Sequence, residues 1–313
     1  MQNGGKLMDQ NNQVVKGMAW AGLASLSWGV SGTVLQLISQ DLEVPGPWMF
    51  STRTTITGLI LLLIGTILYK GRIFDVFKTR KSCISVFAYG LLGLAANLMT
   101  FYYSIQTGNA STATILQYLS PLFIVLGGVV FYRHRPMRTD VLAFVIALIG
   151  VLLCITKGDL THLAVPMVSL LWGIGSGITA ALYVVLPQKA SKENPPILVL
   201  GWGTMIAGIF FNFLNPMWVN VPKITPTLVG SVATVIMLGT IVPFGLLLHA
   251  SCMAPSDVVS IMDALQPITT TLLSVIFFKL DIGAIEILGI VLVLGAIYIL
   301  QYGRKPRGVK QNQ

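Results

Sequence analysis

The sequence predicts an all-α integral membrane protein: ten transmembrane helices arranged as two inverted five-helix repeats, with both termini cytoplasmic. Three observations carry this. The 313-residue chain is 54% hydrophobic and only 10% charged, whereas soluble domains carry roughly 25% charged residues. It therefore cannot cover a surface that faces water, and its mean hydropathy is +0.79. Apolar runs of the length a bilayer crossing needs, about 20 residues, recur from end to end. The basic residues, finally, gather in alternate connections between those runs.

The polar opening M-Q-N-G-G-K-L-M-D-Q-N-N-Q lacks the small-residue cleavage site of a signal peptide. Residues 1–16 are read as a cytoplasmic tail and the first apolar run as a retained helix. Crossings follow near 17–39, 47–69, 82–104, 110–132 and 139–156, making a first repeat of 17–156. A second set falls near 165–187, 195–214, 228–250, 256–278 and 282–301, making a second repeat of 165–302. Residues 303–313 form a basic tail. The linkers are short and no soluble domain interrupts them.

The charges orient the bundle. Lys70, Arg72, Lys78, Arg80 and Lys81 share one connection, Arg133, Arg135 and Arg138 another, Lys189 and Lys192 a third. With ten crossings these fall on the same side as Lys6, Lys16 and the terminal Arg304, Lys305, Arg307 and Lys310. The other side has only Lys157, Lys223 and Lys279, with Asp41 and Glu43. The positive-inside rule makes the basic side cytoplasmic. The net charge of +9 is thereby assigned to membrane topology, and no nucleic-acid partner is expected. Cys83, Cys154 and Cys252 are isolated in apolar surroundings and read as buried small hydrophobes; no metal or cofactor is expected.

Five crossings per half is an odd number, so the second half enters the membrane upside down relative to the first. The sequence carries an echo of this. S-T-A-T-I-L-Q-Y-L-S-P-L-F-I-V-L-G-G-V-V-F from Ser111 matches D-V-V-S-I-M-D-A-L-Q-P-I-T-T-T-L-L-S-V-I-F from Asp257, with Pro121 and Pro267 in register. Each proline removes a backbone donor and crowds the preceding turn in mid-helix. Paired interruptions in two halves point to the binding region of a transporter. Asp140 and Glu286 match at the same offset, each at the start of a half's last helix, which implies an interfacial structural role for both. L-S-W-G-V-S-G around Trp28 resembles L-L-W-G-I-G-S-G around Trp172. The glycines there, including Gly29, Gly173 and Gly177, are read as close-packing helix faces.

Ten helices in two inverted halves, W-G near the start of each, and proline in the fourth and ninth helices together resemble the EamA group of the drug/metabolite transporter superfamily. The likeness runs from about Gly17 to Tyr302. Arg53, in F-S-T-R-T-T-I-T-G-L, sits where members often carry an arginine, and N-L-M-T-F-Y-Y-S-I-Q-T-G-N-A-S-T-A-T-I-L-Q-Y-L-S-P resembles the passage from third to fourth helix. Members often have a glutamate just after the fourth and ninth helices; here His134 and Leu280 stand there, with Asp281 beside the second. The resemblance implies ATP-independent movement of small polar metabolites, amino acids or drugs.

Asp263 is the acid most at odds with its surroundings. It lies one turn before Pro267 with no aqueous end nearby, and a charge at the bilayer centre costs at least about 2.5 kcal/mol. Its counterpart, Gln117, precedes Pro121 by the same turn. Both are expected to wall one central cavity, with Asp263 holding a cationic substrate group or exchanging a proton, so that protons are a candidate coupling ion. The alternative for each is a hydrogen bond between helices. Arg53 either attracts a carboxylate in bidentate fashion, pairs with an internal acid, or snorkels to the outer interface. His249 and Tyr103 match across the repeat and are candidates for the pathway, His249 as a titrating group. Tyr118, Trp28, Trp172 and Tyr102 are candidate aromatic walls. Ser120 and Gln266, just before the prolines, are placed to satisfy freed backbone groups, and Asp257 to cap its helix.

The leading reading is thus a secondary transporter, an exporter working by alternating access, and not an enzyme. Intramembrane proteolysis would need a G-x-S-G serine, but Ile174 occupies the glycine position before Ser176. A channel would show a filter or charged rings, a sensor an appended soluble domain, and an ATP-driven pump a Walker-type loop. None is in the sequence.

Overall fold

The computed structural model describes residues 2–133, 136–159, 162–255, 259 and 261–303, with the main chain alone at 2–12 and 132. The side chain of Lys6, the His134 substitution, Arg135, the Asp257 cap and the basic tail 304–313 lie outside the described residues. Among the described residues the chain is helical and forms no strand. Eight helices are long and apolar enough to cross a membrane.

The first crossing is α1 (Gln2–Gln36), which continues into a π turn at Leu37–Asp41. After α2 (Gly46–Tyr69) comes a 3-10 element, Lys70–Phe77. In it Lys78 and Arg72 lie 2.8 and 3.1 Å from Asp75 and hold its carboxyl below the usual carboxylate range. A continuous helical run then joins α3 (Arg80–Ala88), a π segment at Tyr89–Ala95, and α4 (Ala96–Thr107). The next apolar stretch is split into α5 (Ala110–Gln117) and α6 (Ser120–Tyr132), and α7 (Arg138–Thr156) follows. Then come α8 (Met167–Val185), the short α9 (Gln188–Glu193) and α10 (Pro196–Leu214). α11 (Pro226–Ile236) passes through a π turn at Met237–Ile241 into α12 (Val242–Met253); α13 (Leu265–Phe278) and α14 (Ala284–Gly303) end the described chain.

Local chemistry explains many boundaries. Asn109 and Thr225 cap α5 and α11 by accepting from the amides of Thr112 and Leu228. Asp140 accepts from the Met137 amide at 3.0 Å and Glu286 from the Gly283 amide at 2.9 Å, so the two matched acids cap the matched helices α7 and α14. Arg133 and Lys279 end α6 and α13 in the same left-handed conformation, φ 52°.

Packing follows a reciprocal pattern. α1 lies against α12 and α13, while α8 lies against α4, α5 and α6; α2 pairs with α10, α7 with α14, and α5 with α13. Glycine sets the closest seam: a Cβ on Gly150 would sit 2.7 Å from the Gly289 carbonyl, and one on Gly289 would sit 2.6 Å from that of Gly150. A Cβ on Gly177 would meet the Leu116 carbonyl at 2.8 Å, so these small residues allow the backbone approach that holds helices together in lipid. Large apolar side chains such as Phe131, Phe213 and Ile67 point outward instead, 81%, 87% and 69% exposed, as a lipid-facing surface requires. Cys154 is buried and Cys83 half-buried, but Cys252 is exposed on α12. Its expected burial is corrected by its place on the outer face of that helix.

Candidate functional site

Both proline-bearing helices break just ahead of the proline. α5 stops at Gln117, Tyr118 and Leu119 form a turn, and Pro121 lies in the first turn of α6. In the second half Asp263 and Ala264 form the turn before α13, whose first turn holds Pro267. A proline nitrogen cannot donate, so the chain tightens locally to three-residue hydrogen bonds. Leu119 N donates to Leu116 O at 3.2 Å, and Gln266 N to Asp263 O at 3.1 Å. The Ser120 and Gln266 side chains make no hydrogen bond among the described residues. The expectation that they satisfy the freed groups is corrected; at the second break the Asp263 carbonyl, freed by Pro267, is taken by the Gln266 backbone amide.

A cavity of about 410 Å³ opens at these breaks, lined by helices of both halves. Arg53, Gln117, Tyr118, Pro121 and Asp263 all line it, as does Trp28. Pro267 is buried behind it in α13. Tyr103 and His249 are not part of the lining. Tyr103 packs with Phe50 and Trp172, ring centroids 5.7 and 5.2 Å away, and Tyr102 donates from its hydroxyl to Val44 O at 2.6 Å. His249 is exposed and meets Trp20 edge-on at 5.3 Å. It makes no contact with Ser176, which is fully buried and accepts from Gln117, so no serine–histidine pair is assembled.

Among the described residues Arg53 and Asp263 are the only charged side chains on the cavity wall. Neither forms an ion pair there. Among the described residues Arg53 Nη2 reaches only the Thr240 hydroxyl, at 3.4 Å, and Asp263 Oδ1 only the Ser25 hydroxyl, at 3.3 Å. An ion held out of water without a partner costs several kcal/mol. No group of three or more His, Cys, Asp or Glu side chains among the described residues is placed to hold a metal ion.

Gln117 is held differently. Its Nε2 donates to Asn97 Oδ1 and to Ser176 Oγ, both at 3.0 Å, and Thr179 Oγ1 also donates to Asn97 Oδ1 at 3.3 Å. Asn97, Tyr183, Thr204 and Thr240 are lining residues that the sequence reading passed over. Asn97 was discoverable, because it is an amide inside the apolar run L-L-G-L-A-A-N-L-M, the same signal that selected Gln117. The threonines were not, since a threonine hydroxyl readily bonds its own helix backbone, as Thr204 does to Leu200 O at 2.7 Å. The π segments at Tyr89–Ala95 and Met237–Ile241 lead into α4 and α12. They place Leu94 and Thr240 on the wall, consistent with the tendency of π turns to occur at functional sites.

An internal cavity inside a bundle of bilayer-length helices defines a multi-pass membrane protein. The chain matches the EamA-like transporter family over residues 15–156 and again over 167–302, and it belongs to that family. The inner membrane transporter YicL of Salmonella typhimurium is 28% identical over 295 residues, spanning 93% of this chain and 97% of that protein. The threonine/homoserine exporter RhtA of Escherichia coli is 26% identical over 204 residues, 65% of each chain. The transporter YwfM of Bacillus subtilis is 24% identical over 296 residues, 91% of this chain and 94% of that one. A solved crystal structure aligns with a TM-score of 0.59 over 89% of this chain and 95% of its own, at 14% identity, which extends the likeness to the fold. The chain is a membrane transporter.

Proposed function

We propose that this transporter is a secondary exporter of a small zwitterionic metabolite, an amino acid in the first instance, in the cytoplasmic membrane. The observation that carries this is the pair Arg53 and Asp263, unpaired and of opposite sign on one cavity wall. A guanidinium presents a planar fork to a carboxylate, and a carboxylate accepts the N–H groups of an ammonium. An α-amino acid brings both groups on adjacent atoms, and a cavity of about 410 Å³ accommodates one with its side chain. Export is the direction in the name of the relative RhtA.

Alternating access is the proposed mechanism, with ten crossings in two inverted repeats, 17–156 and 165–302, and both ends cytoplasmic. Reciprocal packing supports it: α1 on α12 and α13 is mirrored by α8 on the third and fourth crossings, while the second crossing pairs with the seventh, the fourth with the ninth and the fifth with the tenth. That is the exchange an in-plane pseudo-two-fold axis makes. The basic connections support the orientation. Asp263, beside a helix break and loosely held, is the group proposed to exchange a proton in coupling. The test is uptake into proteoliposomes of a panel of labelled amino acids, with and without an imposed pH gradient. Saturable uptake of zwitterions, faster with a gradient, is expected; uptake of cationic or anionic metabolites in preference to zwitterions would overturn the reading.

A further inference from the structure

The amide pair Asn97–Gln117 adds neutral hydrogen-bonding groups to the cavity wall beside the two charges. Gln117 spends both Nε2 hydrogens on Asn97 Oδ1 and Ser176 Oγ. Its Oε1 receives no hydrogen bond among the described residues, and Asn97 Nδ2 gives none. Both residues line the cavity. The wall therefore shows one acceptor and one donor side by side, each fixed by its neighbour. Turning both amides over exchanges the roles, because Asn97 would then donate to Gln117, yet the exposed pair is again one donor and one acceptor.

Such a pair selects by chemistry. A carboxylate satisfies the donor but opposes the acceptor, and an ammonium does the reverse. An apolar group leaves both without partners, which is the costly outcome for polar groups taken out of water. A hydroxyl, donor and acceptor on one oxygen, or a carboxamide, donor and acceptor on two atoms, satisfies both. Ser176, fully buried, braces Gln117 from behind so that the amide plane cannot swing to follow another ligand. We infer that Asn97 and Gln117 form a specificity subsite that reads a hydroxyl or carboxamide on the side chain of the substrate, with Asn97 also the residue that positions Gln117. This rests on the zwitterion reading above, with Arg53 and Asp263 taking the ionic ends and the amide pair taking what remains.

The test uses isosteric substrates, so that shape is constant and only hydrogen bonding changes. Initial rates over a concentration series in proteoliposomes are measured for threonine against valine, and for asparagine against leucine. In the wild-type protein the polar member is expected to be favoured by about tenfold or more in kcat/KM, the direction in which sites built around hydrogen-bonding groups discriminate. Asn97→Leu is expected to bring that ratio towards one, through the polar substrate's rate rather than the apolar one's, and Asn97→Ala to do the same should leucine prevent folding. A preference confined to the threonine pair assigns the subsite to hydroxyls, and one confined to the asparagine pair to carboxamides. Equal wild-type rates within both pairs would overturn the subsite while leaving zwitterion transport standing. So would an unchanged ratio in both variants, or equal loss for polar and apolar substrates in folded, inserted variants. Absence of any amino-acid uptake by wild type defeats instead the underlying reading, and this inference with it.

Discussion

The two proline breaks occupy the same place in the two halves, yet their polar residues are held in opposite ways. Gln117 ends α5 inside a network, fixed by Asn97 and Ser176 at 3.0 Å each. Asp263 sits in the turn before α13 with one hydroxyl contact at 3.3 Å. One arm is a rigid neutral surface and the other a loosely held charge. On the function proposed above, this difference divides the work: the fixed amide suits recognition, and the loosely held carboxylate suits a group that gains and loses partners in each cycle.

The largest effect is expected where the free charge is removed. Asp263→Asn should lower transport about a hundredfold, in line with roughly 3 kcal/mol for a hydrogen bond to a charged group, while insertion, followed by size-exclusion profile in detergent, is unchanged. Uptake and its dependence on a pH gradient are the measurements; wild-type behaviour in both would remove Asp263 from the mechanism. The exchange Gln117→Asp with Asp263→Asn sharpens the comparison. If the arms were interchangeable, moving the carboxylate across would preserve transport. The network around position 117 predicts that it does not, because Asn97 and Ser176 already engage whatever stands there.

Arg53 comes next. Arg53→Lys keeps the charge but loses the planar fork, and about a tenfold rise in KM for amino acids is expected from one lost charge-assisted hydrogen bond. A KM equal to wild type would mean that Arg53 serves the bilayer interface and not the substrate carboxylate.

The residues that bring these effects about were unequally legible in the sequence. Composition and hydropathy are enough for a helical membrane protein, mid-membrane polarity singles out Asp263 and Gln117, and the family resemblance singles out Arg53. Repeat matching was a poorer guide to facing. It paired Tyr103 with His249, but an offset says where along a crossing a residue lies and nothing about which way it points. Tyr103 lies in an aromatic cluster with Phe50 and Trp172, and His249 is exposed beside Trp20. The π segments shift the facing of everything after them, and no residue type announces a π turn. They are chosen by packing, which is why Leu94 and Thr240 could be assigned to the cavity only once the helices were assembled.

The smallest expected effect tests how loosely Asp263 is held. Ser25 is fully buried, and its hydroxyl is the one group that donates to Asp263 among the described residues, at 3.3 Å. At that length a hydroxyl contributes at the weak end of hydrogen-bond energies, about 0.5 kcal/mol, so Ser25→Ala should change kcat/KM by only about twofold. The alanine loses a small hydroxyl from a packed seam and adds no bulk, so folding is expected to be retained. The corresponding cut on the other arm is Ser176→Ala, which removes one of the two anchors at 3.0 Å from Gln117. It should reduce the preference for threonine over valine, whereas Ser25→Ala leaves that preference in place. Equal effects of the two serine substitutions on both rate and preference would mean that the arms are held alike, and the division of labour between a fixed amide and a free carboxylate would have to be abandoned.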